Sequence, residues 1–194
     1  MTERFDAAYY RQFYGRQPVH TRAKIARLAS GVVGMCGWLG IPMRSVLDIG
    51  AGPGYWRDFF ATERPGTRYV GIDISAYACA KYGHEHRDIT TWRPTRSSDL
   101  TICQGVLQYP DDAGAERAIE TIGAVTRGAL YLEVPTSYDR VATIDADHTD
   151  LDIHWREGDW YRERLEPHFQ QLGAGIWVAR SLQFPLYELE RAAR

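Results

Sequence analysis

An acidic residue and three glycines stand close together in the sequence VLDIGAGPG of residues 46–54. The apolar residues predict the end of a buried strand, and the alternate glycines allow the positive φ and close ligand approach that a nucleotide-binding loop needs. A dinucleotide fingerprint would place its third small residue where this chain has Tyr55, whereas Gly54 falls one position early. The spacing therefore predicts a nucleotide-cofactor loop that suits a pyrophosphate poorly.

A second acidic residue, Asp73, stands at the end of a predicted strand, about twenty residues beyond the glycine loop. Its carboxylate could accept hydrogen bonds from both hydroxyls of a ribose. The alternative role, capping the next helix, belongs more naturally to Ser75. Asp73 therefore indicates nucleoside binding, although a dinucleotide site would place an acid at the same distance.

Strand and helix patterns alternate along most of the chain. Predicted strands cover 46–49, 69–74, a short stretch ending near Asp88, 100–103, 129–134, 175–179 and 184–189, and predicted helices cover 5–14, 21–39, 55–62, 76–82, 113–126 and 159–172. This alternation predicts an α/β fold with a doubly wound, mostly parallel sheet. Too few residues separate the last two strands for a helical crossover, so an antiparallel hairpin is expected there.

The pattern D-x-G-x-G-x-G, which begins at Asp48, resembles the first motif of the class I S-adenosylmethionine-dependent methyltransferases. Asp73, the pair Asp88-Ile89 and the run TICQG at 101–105 resemble, in this order, further motifs of that family. The closing hairpin is another similarity. The chain is therefore identified as a member of this family, from about residue 44 to the C-terminus.

The resemblance implies a Rossmann-like methyltransferase fold with a seven-stranded sheet in a single domain over 1–194, with a core over 44–194 and N-terminal lid helices over 1–40. The implied cofactor is S-adenosyl-L-methionine. The implied cofactor-binding residues are Asp48, Gly50, Ala51, Gly52, Gly54, Asp73, Ile74, Asp88, Ile89, Gln104 and Gly105. Asp48 would support the loop and the cationic methionine end, and Gln104 would line the methionine portion. For Asp88, which would meet the adenine, an exposed turn is an equally good interpretation.

Methyl transfer is a direct displacement, so the protein aligns a nucleophile, excludes water and, where the nucleophile carries a proton, supplies a base. His154, which has apolar neighbours in the long non-periodic segment 135–156, is the candidate general base, with a structural histidine as the alternative. Tyr109, just after the fourth strand, is the candidate on the substrate side. Tyr14, on the predicted lid helix, either covers the cofactor or packs as an ordinary aromatic residue.

The segment 135–156 is also rich in acidic residues and histidines. Besides His154 it contains Asp145, Asp147, His148, Asp150 and Asp152. An acidic, solvated loop is the preferred interpretation, and a metal site is the alternative. No metal is predicted.

Composition and charge limit the classes of function that this sequence could have. The formal net charge is −2 with both signs scattered, so no basic face for nucleic acid is predicted. Three cysteines without C-x-x-C spacing fit a reduced cytoplasm, and no apolar run is long enough to span a membrane. We therefore predict a cytoplasmic O- or N-methyltransferase that acts on a small molecule. The alternatives are methylation of a protein or carrier-bound substrate, a non-catalytic S-adenosylmethionine-binding protein, and a nicotinamide-dependent oxidoreductase.

Overall fold

Seven strands form one sheet at the centre of the computed structural model, which describes residues 4–15 and 18–192. The strands are β1 Ser45–Ile49, β2 Arg68–Asp73, β3 Glu85–His86, β4 Ser98–Gln104, β5 Thr126–Glu133, β6 Phe169–Gly173 and β7 Ile176–Ala179. Their order is β3-β2-β1-β4-β5-β7-β6. The first five strands in this order are parallel to their neighbours, and β7 runs antiparallel to β5 and β6. The predicted doubly wound sheet with a C-terminal hairpin is confirmed.

Helices connect the strands and cover the sheet. They are α1 Ala7–Tyr14, α2 Arg22–Trp38, α3 Tyr55–Glu63, α4 Ala76–Tyr82, α5 Asp112–Val125, α6 Ser137–Ala142 and α7 Gly158–Leu165. Side chains that precede the first turn cap several of them, as Thr21 does for α2 and Asp111 for α5. Within the described ranges, no helix combines the length and the apolar composition that crossing a membrane requires.

Successive residues of the central strands alternate between two hydrophobic layers. Val46 and Ile102 belong to the layer that includes α2 and α3, whereas their chain neighbours Leu47 and Cys103 belong to the layer that includes α5 and α7. This alternation follows from the two-residue period of a strand. Because both faces of the sheet are covered, a ligand can reach it only at an edge, beyond the strand ends.

Helix α2 belongs to the core and not to a lid. Five of its side chains are buried in the first of these layers: Ile25, Ala29, Val32, Val33 and Cys36. Their spacing places them on one face of the helix, and burial of that face holds α2 against the sheet. The lid expected over 1–40 is therefore corrected. Of the described residues in that range, those that line the two large cavities described below extend only to His20.

The closing hairpin begins earlier in the chain than predicted. Helix α7 ends at Leu165 and does not continue to residue 172, because Pro167 lacks the amide hydrogen that an extended helix would use. Strand β6 begins at Phe169 instead. Ala174 and Gly175 have φ of 49° and 76°, as both positions of a two-residue type I′ turn require.

The last predicted strand, 184–189, is not a strand in the structure. Residues 184–187 lie between the short 3-10 helices Arg180–Leu182 and Glu188–Glu190, and residues 188 and 189 belong to the second of them. The alternating apolar residues of this stretch have another cause, since Leu186 is buried in the layer with α2 and Phe184 packs against that layer. The alternation of apolar residues in this stretch therefore belongs to a segment that covers the core and not to a strand of the hairpin.

Candidate active site

The glycine loop after β1 turns sharply at the carboxyl edge of the sheet. Gly50, Gly52 and Gly54 have φ of 69°, 52° and 79°, a region that residues with a side chain rarely adopt. A Cβ atom on Gly50 would lie 2.3 Å from Cγ2 of Val106. Gly54 serves as the first residue before α3, in the left-handed conformation. The loop therefore needs glycine for its backbone shape and, at Gly50, for space.

Asp73 joins the glycine loop to the start of α4. Its buried carboxylate accepts hydrogen bonds from the amide of Gly52 at 2.9 Å and the amide of Ser75 at 2.8 Å. The Ser75 hydroxyl caps α4, as expected, by accepting from the amide of Ala78 at 3.0 Å. Each carboxylate oxygen has a further lone pair that could accept a ribose hydroxyl. Asp73 thus stabilises the loop as well as offering a place for a ribose, and the first of these roles was not predicted.

Asp48, the acid before the glycines, is buried and accepts a hydrogen bond from the hydroxyl of Tyr69. Burial raises the pKa of Asp48 to about 7, against which the bond from Tyr69 acts. Asp48 and Ala51 line a small cavity of about 90 Å³, together with Gly52 and Glu133. A neighbouring cation would favour the ionised carboxylate. The position therefore suits the positively charged end of a ligand.

The loop after β3 contributes Asp88 and Ile89. Oδ1 of Asp88 accepts hydrogen bonds from the amide and the hydroxyl of Thr90, both at 2.8 Å, which is the pattern of an Asx turn. Ile89 is buried and Asp88 is half-buried. Asp88 is therefore a turn residue whose position also leaves it beside a cavity.

Gln104, at the end of β4, is held from two sides. Its Oε1 accepts a hydrogen bond from Nε1 of Trp56 at 2.8 Å, and its Nε2 donates to Oε2 of Glu133 at 3.1 Å. The next residue, Gly105, has φ of 67° and donates its amide to the carbonyl of Glu133 at 2.8 Å. These bonds connect the carboxyl ends of β4 and β5.

These elements surround a cavity of about 360 Å³, the cofactor cavity, whose size is typical of ligand sites. Its lining includes Tyr14, Gly50, Gly52, Asp73, Ile74, Asp88, Ile89, Gln104, Gly105 and Tyr109. The Cβ that Gly52 lacks would point toward the hydroxyl of Tyr14, 3.7 Å away, so a side chain there would occupy space at the ligand. Of the predicted residues, Asp48, Ala51 and Gly54 do not line this cavity, but Asp48 and Ala51 line the small cavity, which shares Gly50, Gly52 and Gln104 with it. An acid that could accept a ribose, an apolar side chain for an adenine and a carboxylate in the adjoining small cavity fit S-adenosylmethionine.

A second cavity, of about 600 Å³, adjoins the first and is called the acceptor cavity. The residues that line both cavities include Tyr9, Tyr14, Gly105 and Tyr109. The hydroxyls of Tyr9 and Tyr109 are 2.7 Å apart. Burial raises the pKa of both phenols, so both are neutral near pH 7. These two tyrosines therefore form part of the wall between the cavities.

A histidine and a carboxylate meet on the wall of the acceptor cavity. Nε2 of His20 lies 2.8 Å from Oε1 of Glu133, and both residues line the cavity. Burial favours protonation of Glu133, but hydrogen bonds from His20, Tyr131 and Gln104 outweigh it and lower the pKa of this carboxyl. Neither residue was predicted. Glu133 could have been found, because it ends a strand at the same edge as Gln104, whereas no local pattern singles out His20.

His154 lies away from the site. Its side chain is exposed, and its amide donates to the carbonyl of Gln108 at 2.8 Å. Neighbouring Arg156 is buried and donates to the carbonyls of Leu107 and Pro110 at 2.9 and 2.7 Å. The end of the long segment therefore positions the loop that carries Tyr109, and the structure does not bring His154 to the acceptor cavity.

Three acidic residues of the long segment lie beside a basic side chain. Nδ1 of His148 lies 2.8 Å from Asp145, and Arg4 pairs with both Asp150 and Asp152, at 3.2 and 3.3 Å. Among the described residues, no three His, Cys, Asp or Glu side chains come together as a metal site. His148 and Asp150 line the acceptor cavity, so part of this segment contributes to that wall.

Solved structures of methyltransferases have the same fold as this chain. An aminopentose methyltransferase from Micromonospora echinaspora, solved with bound S-adenosylmethionine, is 14% identical with a TM-score of 0.62, covering 92% of this chain and 98% of that one. Magnesium protoporphyrin IX methyltransferase from Synechocystis PCC 6803, also solved with bound S-adenosylmethionine, is 16% identical with a TM-score of 0.59, covering 90% and 92%. The fold is that of the class I S-adenosylmethionine-dependent methyltransferases.

Sequence comparison identifies the family. The methyltransferase domain family matches residues 8–174, and the chain belongs to it. S-adenosylmethionine is therefore the cofactor, as predicted. Trans-aconitate 2-methyltransferase from Rhodopseudomonas palustris (strain BisB5) is 24% identical over 120 residues, which are 58% of this chain and 47% of that protein. The chain thus spans about half the length of this curated relative.

Proposed function

We propose that this chain transfers a methyl group from S-adenosylmethionine to a small molecule in the acceptor cavity. The observation that carries this proposal is that the acceptor cavity shares the wall of Tyr9, Tyr14, Gly105 and Tyr109 with the cofactor cavity. Its volume of about 600 Å³ suits a small molecule. When bound, the cofactor supplies an electrophilic methyl carbon on a sulfonium, and the shared wall would align the acceptor with it.

The names of the matched proteins support a small-molecule acceptor. They give an aminopentose, magnesium protoporphyrin IX and trans-aconitate as what those proteins methylate. These acceptors differ in size and in chemical class. We therefore take the nature of the acceptor from this chain's own acceptor cavity.

We assign the role of general base to His20 rather than to His154. When Nε2–H of His20 is donated to Glu133, Nδ1 keeps the lone pair that can accept a proton from the acceptor. The negative charge of Glu133 would stabilise the imidazolium that results, as the carboxylate of a catalytic triad does. Tyr109 forms part of the cavity wall and does not act as a base, because its raised pKa keeps the phenol protonated near pH 7.

Replacement of each histidine tests this assignment. With radiolabelled S-adenosylmethionine and a panel of small hydroxyl and amino compounds, His20→Ala should lower turnover by about 10²–10⁴-fold, the usual contribution of a general base. Its affinity for S-adenosylmethionine, measured by calorimetry, should stay within about a factor of two, because only the chemical step loses a group. Glu133→Gln should show a smaller loss of turnover.

His154→Ala is the matched control, because it removes the same side chain from an exposed position. It should retain full turnover. The opposite result, in which His154→Ala is inactive and His20→Ala is normal, would return the base to His154. If neither change affects turnover, neither His20 nor His154 acts as the base.

A further inference from the structure

The charged side chains described on the walls of the acceptor cavity are mostly carboxylates. They comprise Glu133, Asp139, Asp150 and Arg162. Asp159 pairs with Arg162 at 2.7 Å and Arg4 pairs with Asp150 at 3.2 Å, so both of these charges are balanced, and the negative excess comes from Glu133 and Asp139. An anionic acceptor would meet an excess of negative charge in this cavity, whereas a cationic one would be attracted to it.

Asp139 has an oxygen available for such a cation. The amide and the hydroxyl of Thr136 donate to it at 2.9 and 2.7 Å, and both bonds reach Oδ2. These bonds cap α6 and fix the side chain in place. Oδ1 therefore remains as an acceptor for a donor group on a ligand.

The side chain of Gln108 also has a hydrogen-bond acceptor that a ligand could satisfy. This residue lines the acceptor cavity and is only 6% exposed. Its Oε1 is buried and has no hydrogen-bond partner within the described part of the chain. A buried oxygen without a partner is unfavourable, so a ligand that donates a hydrogen bond to it would be stabilised. An ammonium group offers up to three donors and no acceptor, whereas a carboxylate offers no donor.

From these observations, and on the basis of the proposed function, we infer that the acceptor is a primary or secondary amine that enters the cavity as an ammonium ion. The aromatic faces of Phe13 and Trp177 on the same walls suit a cation as well. Asp139 and Gln108 would hold the polar groups of the amine or of its scaffold. Carboxylates as acceptors are disfavoured by the same charges.

The transfer balances with His20 as base. One ammonium proton passes to Nδ1 of His20, which leaves a lone pair on nitrogen. The nitrogen attacks the methyl carbon, a carbon–nitrogen bond forms, and the carbon–sulfur bond breaks with its electron pair kept by sulfur. The products are the methylated ammonium ion and S-adenosylhomocysteine, and the imidazolium of His20 returns its proton to water.

Matched acceptors test the inference. The probes are two triplets that share a scaffold, namely glucosamine, glucose and glucuronate, and benzylamine, benzyl alcohol and benzoate, with aconitate added as a tricarboxylate. Transfer from radiolabelled S-adenosylmethionine is measured for each, and binding is measured by calorimetry on protein loaded with S-adenosylhomocysteine. In at least one triplet the amine should be methylated on nitrogen and should bind at least about tenfold more tightly than the carboxylate.

A variant pair sharpens the test. Asp139→Asn, which keeps an oxygen for the bonds from Thr136, should weaken binding of the amine about tenfold and leave the affinity for S-adenosylmethionine unchanged. Asp147→Asn removes the same charge from an exposed position of the same segment and should change neither affinity. Equal amine binding by the two variants would contradict the role of Asp139.

The outcomes separate the inference from the proposed function. Methylation of the alcohols or carboxylates, with the amines left unmodified, would overturn the amine acceptor and leave the methyltransferase proposal in place. Transfer to none of the probes, by protein that binds S-adenosylmethionine, would contradict both. Methylation of an amine with tighter binding than its carboxylate would support both.

Discussion

The cofactor cavity is lined largely by one interval of the chain that includes four glycines, whereas the acceptor cavity is lined by segments from distant parts of the chain. Apart from residues of the N-terminal segment, the cofactor cavity takes its lining from the interval 49–117, with glycines at 50, 52, 105 and 114. The acceptor cavity draws on α1, His20, the end of β5, segment 135–156, α7 and the closing hairpin. The first cavity is therefore encoded largely in one interval of the sequence, and the second is assembled from distant segments by the fold.

Because the two cavities are built differently, specificity for the cofactor and specificity for the acceptor depend on different features of the chain. Backbone turns and strand-end acids suit a cofactor that is always the same, because few side chains can replace them without loss of the turn. Loops and connections between elements can change their side chains without disturbing the sheet. The comparison predicts that substitutions in the two cavities will have separable effects on cofactor affinity and on turnover.

The largest loss of cofactor affinity is expected for Gly50→Ala. Its Cβ would lie 2.3 Å from Val106, and its φ of 69° is unfavourable for alanine. The loop must shift, so affinity for S-adenosylmethionine in calorimetry should fall by about 100-fold or more, equivalent to about 2.7 kcal/mol.

Gly40→Ala is the control for Gly50→Ala, because Gly40 has the same φ of 69° and no atom within 4 Å of its missing Cβ. It should lower the melting temperature but leave cofactor affinity unchanged. Equal cofactor affinity in the two variants would show that the glycine loop is not part of the cofactor cavity.

An intermediate loss is expected for Asp73→Ala. Removal of the carboxylate deletes the bond to a ribose and leaves the amides of Gly52 and Ser75 without their acceptor. Affinity for S-adenosylmethionine should fall by about 1.5–3 kcal/mol, or about 10- to 150-fold. Stability should fall as well, since two buried donors lose their partner.

Asp99→Ala provides the comparison for Asp73→Ala. Asp99 is also buried and also accepts from two backbone amides, those of Arg44 and Ser45, both at 2.9 Å, but at the opposite end of the sheet. Asp99→Ala should lower stability in urea denaturation without changing cofactor affinity. A similar loss of affinity in both variants would mean that Asp73 acts only through the stability of the sheet.

At Asp48 we expect a pH dependence of stability. Burial raises the pKa of Asp48 from 3.8 to about 7, so the folded protein binds this proton more tightly than the unfolded chain does. The contribution of Asp48 to stability therefore falls as the pH rises from about 4 to about 7 and is constant above that. Asp48→Asn removes this dependence.

Urea denaturation at pH 5 and pH 8 measures the effect. The free energy of unfolding of the original protein, relative to Asp48→Asn, should decrease by about 2.6 kcal/mol between the two pH values. Saturating S-adenosylmethionine should reduce this decrease, because its positive charge favours the ionised carboxylate. A difference that does not vary with pH would mean that Asp48 is already ionised at pH 5.

The sheet could be predicted from the sequence because its signals are local. The strand at 46–49, the glycine turn and the acid at 73 each follow from neighbouring residues, and the alternation of strands and helices predicts the parallel sheet. Predictions failed at the C-terminal end for physical reasons that are also visible. Pro167 ended a helix early, and Leu186 covered the core where a strand was expected.

The sequence by itself determined the cofactor and the sheet that holds it, since glycine, acid and apolar periodicity act on the backbone within a few residues. Only the tertiary structure decided which side chains face the acceptor. His20 and Glu133 belong to distant segments, and their contact depends on how α2 and β5 pack in one layer. His154 has a more suggestive local sequence but lies exposed. A contact between remote residues has no local period, and so it becomes visible only when the chain is folded.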